Sequence, residues 1–206
     1  MFPIGKRPYI PRGTAVLDMP LPLSATPVPP ARDTEAAAPG PSRPVSALAR
    51  ALDAPADYDA VFRVVRGAVR EVLGIERPGL GLGLSDLPPQ LGAYWQVTGN
   101  LIVLNEGLVN AMRAHARDPT ELNSFLYVVL AHEYLHSLGY LDERSVREVT
   151  ARVTRTAFGP DHPATHMAEG DLWRLYPFLA YAPGGNGRRL KVVTRFDLDT
   201  TDRYIR

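Results

Sequence analysis

The chain has 206 residues, of which 45% are apolar and 22% charged, and its formal net charge is +1. That size fits one domain plus extensions and that composition a globular protein, while a near-neutral charge makes no electrostatic case for nucleic acid or an anionic membrane. There is no cysteine, so disulfides and thiolate ligands are excluded and any zinc must be held by histidine and carboxylate.

Residues 1–44 hold 11 of the 20 prolines, and no helical or strand period runs through them. The expectation is a disordered or polyproline-type arm, a solvated tail or a segment shielding whatever site the domain carries. No uninterrupted apolar core follows Lys6 and Arg7, so the arm does not read as a secretory signal. No later run approaches the roughly 18 apolar residues of a membrane span. A cytoplasmic location is therefore expected. The domain proper is expected over 45–181, with a turn, a strand and a polar tail over 182–206.

Residues 45–54 read as a short helix. Asp57 caps a stronger one from Tyr58 to Leu73, with Val61, Val64, Val65, Ala68 and Val69 on its apolar side and Gly74 as its stop. Leu80-Gly81-Leu82-Gly83-Leu84 alternates as a strand does, with one bare face that another backbone can approach. Pro88 and Pro89 break it. Strands over Ala93–Val97 and Asn100–Leu104 flank a Thr98-Gly99-Asn100 hairpin turn. A connecting helix follows from Glu106 to Ala116.

The next helix carries the chemistry. Asp118-Pro119-Thr120-Glu121 reads as N-cap, proline at N1 and an acidic N3. Leu122, Phe125, Leu126, Val129 and Leu130 then lead into His132-Glu133-Tyr134-Leu135-His136, and Gly139 supplies the stop. Few of these residues are charged, so the helix is expected to be buried on most sides. Positions i and i+4 share a face, so His132 and His136 can aim two imidazoles at one ion. Two neutral imidazoles suit zinc, at nitrogen–metal distances of roughly 2.0–2.1 Å. Polar groups inside a buried helix are costly unless something satisfies them.

Asp142 extends the pattern to H-E-x-x-H-x-x-G-x-x-D, and is a candidate third ligand. It is equally a good N-cap for a helix beginning at Glu143. At about 100° per residue, Asp142 falls on the face of that helix bearing Val146, Val149 and Val153. Glu148 falls opposite, so a glutamate ligand from this helix is not expected. His162 and His166 are rival donors or simply loop histidines, and Met167 is either a Met-turn methionine or a core residue.

The His132-Glu133-x-x-His136 motif resembles that of the zinc metallopeptidases known as zincins. With Gly139 and Asp142 it is similar to the snapalysin-like variant of the metzincins, in which a carboxylate replaces the last histidine. The resemblance spans roughly residues 57–142, is specific at His132, Glu133 and His136, and is generic elsewhere. It implies an α+β fold with a small mixed sheet, backing helices and a buried active-site helix. It also implies zinc on His132, His136 and Asp142, with Glu133 as the base that takes a proton from water attacking a peptide carbonyl. The partner is then a peptide or protein, with no nucleic acid or membrane. The alternative is a metal-binding zincin fold that does not cleave and acts as a sensor or adaptor. A further alternative is an interaction protein in which the two histidines satisfy each other.

Beyond the motif, Glu143 to Phe158 reads as a helix ended by Gly159-Pro160. Asp171 to Tyr181 carries Trp173, Tyr176, Phe178 and Tyr181, which either pack in the core or, as tyrosine hydroxyls, donate to an oxyanion. Pro183 to Gly187 is a turn, and Arg188 to Phe196 alternates as a strand.

Overall fold

Side-chain caps set the helix limits. The computed structural model of the chain describes residues 14–16, 46–54, 56–194 and 196. Helix α1 (Ala47–Asp53) begins where the Ser46 side chain accepts from Ala49 N, and α2 (Tyr58–Leu73) where Asp57 accepts from Ala60 N. Gly74 ends α2 at φ 70°, a left-handed stop that glycine takes without strain. The α2 stripe expected to be apolar is buried from Val61 to Val69.

Helix α4 (Pro119–Ser137) follows α3 (Glu106–His115) and runs through the middle of the molecule, buried continuously from Asn123 to Ser137. Asp118 caps it through Glu121 N at 2.8 Å. Glu121 does not complete the reciprocal half of a capping box on Asp118. Its carboxylate takes the Arg117 backbone N–H at 2.8 Å, the Arg117 guanidinium at 2.9 Å and the Tyr176 hydroxyl at 2.9 Å. Asn123 is satisfied by donating to the carbonyls of Leu52 and Ala54, which ties the end of α1 to α4.

The fold is α+β. A mixed sheet takes the order β1-β3-β4-β2-β5, from β1 (Thr14–Val16), β2 (Gly81–Ser85), β3 (Ala93–Gln96), β4 (Leu101–Asn105) and β5 (Leu190–Val192). Strands β2 and β4 are parallel, and the other pairs are antiparallel. The β3–β4 hairpin turns at Thr98, whose φ is 66°. The bare face of β2 is used: a Cβ on Gly83 would lie 2.5 Å from the Leu190 side chain of β5. Most of the arm over 1–44 lies outside the described residues, but Thr14–Val16 is a strand of this sheet, paired with β3. The expected strand over Arg188–Phe196 is limited to Leu190–Val192, and the polar end of the tail lies outside the described residues.

The helices α5 (Glu143–Phe158) and α6 (Pro163–Glu169) pack against α4 on the side of its two histidines, followed by α7 (Leu172–Leu175) and a 3-10 turn at Pro177–Tyr181. Among the described residues no helix is long and apolar enough to cross a membrane.

Candidate metal centre

The end of α4 determines where its second histidine points. Gly139 has φ 100°. Its N–H bonds to the His136 carbonyl at 3.0 Å, and Tyr140 N–H bonds to the Leu135 carbonyl at 3.2 Å. These are the two bonds of a Schellman motif, which folds the chain back over the last helical turn. The turn brings the Tyr140 carbonyl oxygen 2.7 Å from His136 Nδ1. A carbonyl can only accept, so the ring proton sits on Nδ1 and the lone pair of the neutral ring is on Nε2.

That Nε2 lies 3.1 Å from His132 Nε2 and 3.1 Å from Glu143 Oε1, and His132 Nε2 is 3.2 Å from Glu143 Oε2. These are the one group of three among the described residues able to hold a metal ion. The two rings are buried and the Glu143 side chain is one-third exposed. Burial disfavours a proton on His132, as does charge from His136 and Arg147, against the opposing pull of Glu143. Burial also opposes ionisation of Glu143, yet the two imidazoles facing it outweigh that and hold its carboxyl at about 2. The Glu143 carboxylate faces the Nε2 lone pair that the Tyr140 contact leaves on His136, so electron pairs point at one another. A cation at their centre relieves that repulsion. The edges of a tetrahedron of nitrogen and oxygen ligands around zinc are roughly 3.3 Å long, close to the separations here. The donor set therefore fits a divalent ion.

Glu133 is fully buried. Its Oε2 accepts from the Trp95 backbone N–H of β3 at 2.7 Å, while its Oε1 is buried without a hydrogen-bond partner. Burial raises its pKa well above the ordinary carboxyl value, the Trp95 bond opposes this, and the charge of Glu143 adds to it. Trp95 is itself held: its indole donates to the Gly99 carbonyl at 3.0 Å, and the Arg77 guanidinium lies over its ring at 5.3 Å. The same guanidinium donates to the carbonyls of Gly99 and Ser137, each at 2.8 Å. One arginine thus joins the hairpin that holds Glu133 to the end of the helix that holds His136.

The structure brings His132 and His136 together as the motif requires, but it does not bring Asp142 to them. Asp142 is exposed, and its carboxylate caps α5 through Ser145 N at 2.8 Å. The neighbouring Glu143 stands at the histidine pair instead, so a glutamate of this helix does reach the site, and it is not Glu148, which pairs with Arg144 in solvent. The stripe of α5 facing the core runs from Glu143 through Val146 and Thr150 to Val153 and Thr154. Thr150 and Thr154 return their hydroxyls to the carbonyls of Val146 and Thr150, which lets them sit inside. Counting those threonines as buried positions is the signal that would have placed Glu143.

His162 and His166 are elsewhere. His162 caps α6 and meets Asp53 at 3.1 Å, and His166 is exposed. The loop expected around them is helix α6, which places Met167 in the core and not in a turn. Tyr176 is committed to Glu121, and Tyr181 is 88% exposed. A cavity of about 510 Å³ opens beside the centre, with His132 in its wall.

No family model, curated protein or solved structure matches this chain.

Proposed function

We propose that the chain is a zinc-dependent metallopeptidase of zincin type, hydrolysing bonds of peptide or protein substrates. The observation that carries this reading is the convergence of His132, His136 and Glu143 on one point, on the helix where Glu133 follows the first histidine. Zinc, when bound, polarises a carbonyl and acidifies water. His136 is fixed for ligation by the Tyr140 carbonyl, in the manner of outer-shell partners that set a tautomer. Glu133 is the proton carrier. The Trp95 N–H occupies its Oε2, so Oε1 is the oxygen that takes a proton from water and returns it to the leaving amine. A carboxyl whose pKa is raised by burial is suited to exchanging a proton near neutral pH. A cytoplasmic location and the absence of nucleic-acid or membrane partners belong to the same reading.

A second reading has its own support. Glu133 is wholly buried and half engaged by Trp95, which also suits a centre that binds metal without turnover and serves as a sensor or adaptor. The experiment is metal analysis of freshly purified protein, followed by assay of the zinc-loaded chain and of Glu133→Gln on unfolded protein substrates. One equivalent of metal in both, with cleavage by the unaltered chain alone, is the expected result. Stoichiometric metal without cleavage selects the second reading. Absence of metal, with no uptake on titration, overturns both.

A further inference from the structure

The far edge of the sheet is a strand left open on its outer side. Among the described residues β5 is the last strand, and β4 and β2 stand between it and β3, whose Trp95 holds Glu133. Neighbouring strands lie about 4.8 Å apart, so β5 is roughly 14 Å from β3 across the sheet. It is a surface separate from the metal centre.

Val193 N–H donates to the Leu82 carbonyl at 2.8 Å. Backbone groups along an antiparallel strand point alternately to one side and the other. With Val192 opposite Gly83 and Leu190 opposite Ser85, the N–H and C=O groups of Leu190 and Val192 therefore point away from β2. They face outward as a template for another strand. Side chains alternate as well. Leu190 and Val192 share one face and are 51% and 62% exposed. Lys191 turns to the other face, where its Nζ meets the two Glu106 oxygens at 2.7 and 3.0 Å.

Arg188 and Arg189 lead into this strand and are exposed. Their backbone N–H groups go to Asn186 and Asp86, and among the described residues no carboxylate pairs with either guanidinium. Three cations in the five residues from Arg188 to Val192 decide the occupant. A second copy of β5 would set like charges against each other across the edge, which is destabilising. A nucleic acid would answer the charge and leave Leu190 and Val192 uncovered. An acidic polypeptide strand answers the charge, the outward backbone groups and the apolar face together.

We propose that β5 is a docking edge for an extended acidic segment of a partner protein, alternating apolar residues with Asp or Glu, which adds itself as a further antiparallel strand. Its apolar residues cover Leu190 and Val192, and its carboxylates reach Arg188 and Arg189. This surface needs no metal, so it stands or falls apart from the peptidase reading.

The full chain, with and without chelator, is titrated with acetyl-Thr-Val-Glu-Val-Glu-Thr-amide and acetyl-Thr-Val-Lys-Val-Lys-Thr-amide, and its backbone amides are followed by NMR. At low ionic strength the acidic peptide should bind at least about tenfold tighter than the basic one, and more weakly as salt is added. It should shift the amides of Leu190 and Val192, and chelator should change nothing. Arg188→Ser combined with Arg189→Ser should weaken binding about tenfold. Val192→Pro removes an outward N–H and no bond to β2, so it should fold and bind the acidic peptide at least about tenfold more weakly. Equal binding of the two peptides overturns the proposal, as does affinity that survives both sets of substitutions. A single-stranded oligonucleotide that binds these residues more tightly than the acidic peptide also overturns it. So do Leu190 and Val192 amides that resist hydrogen exchange before any peptide is added. Protection that rises with protein concentration then assigns the edge to a second copy, and protection that does not assigns it to the chain itself.

Discussion

His136 Nδ1 lies 2.7 Å from the Tyr140 carbonyl oxygen, and this contact commits the other ring nitrogen to the centre. The carbonyl is there because Gly139 turns the chain at φ 100°. Replacing Gly139 by Ala should therefore have two effects. A Cβ at this position meets nothing within 4 Å, so the cost is backbone strain alone, about 1–2 kcal/mol. Zinc affinity should fall as well, because the carbonyl that orients His136 is displaced. Chemical denaturation of the metal-free protein and competition against a chromophoric chelator measure the two effects separately.

Asp142 and Glu143 are neighbours with different work. Asp142→Ala removes a helix cap and should cost about 1 kcal/mol of stability with zinc affinity nearly unchanged. Glu143→Ala should cut zinc affinity by more than the roughly 10–100-fold typical of losing an outer-shell partner. Chelator competition on the two variants decides between them, and equal losses would contradict the placement of Glu143.

Glu133 gives a pH signature. Its folded-state pKa is raised well above 4.5. As pH rises past about 4.5 the unfolded chain ionises this carboxyl while the folded chain does not, so stability contributed at low pH is lost with rising pH until the folded pKa is reached. Glu133→Gln keeps an oxygen to accept from Trp95 and removes the ionisation. In chelator the variant should match the unaltered protein below about pH 4 and exceed it at pH 7. Urea midpoints at the two pH values test this. The same variant should retain zinc and lose turnover.

His132 works in the opposite direction. Its pKa is lowered, chiefly by burial, so below about pH 6.5 the unfolded chain binds a proton that the folded chain resists, and metal-free stability falls as pH drops from there. Saturating zinc should offset the loss by mass action. The shift in urea midpoint between pH 7.5 and 5.5, with and without zinc, is the measurement.

Arg77 reaches the Ser137 and Gly99 carbonyls and the Trp95 ring. Arg77→Met should cost about 2–4 kcal/mol, since hydrogen bonds from a charged donor contribute roughly 1.5–3 kcal/mol each. Thermal unfolding of the metal-free protein reads it.

Much of this was legible in the letters. Asp57 and Gly74 bracket α2, Asp118 and Pro119 open α4, and the Thr98 turn joins β3 to β4, because each is a local signal acting through the backbone. The third ligand was not, and the reason is physical. Extrapolating 100° per residue back to Asp142 treats it as helical, but its φ of −86° and ψ of 123° are extended, so its side chain leaves the stripe that Glu143 begins. Strand β1 was hidden for a different reason: three residues among prolines carry no period, and only their partner β3 defines them. Helix α6 was missed because its cap is His162, which is not among the usual capping residues.

All three donors lie between His132 and Glu143, on either side of one tight turn. They are therefore synthesised almost together, before β5 leaves the ribosome. Bringing the three donors together closes only a short loop, which costs little entropy. The ligand set is then complete in the chain before the strand that closes the far edge of the sheet has been added.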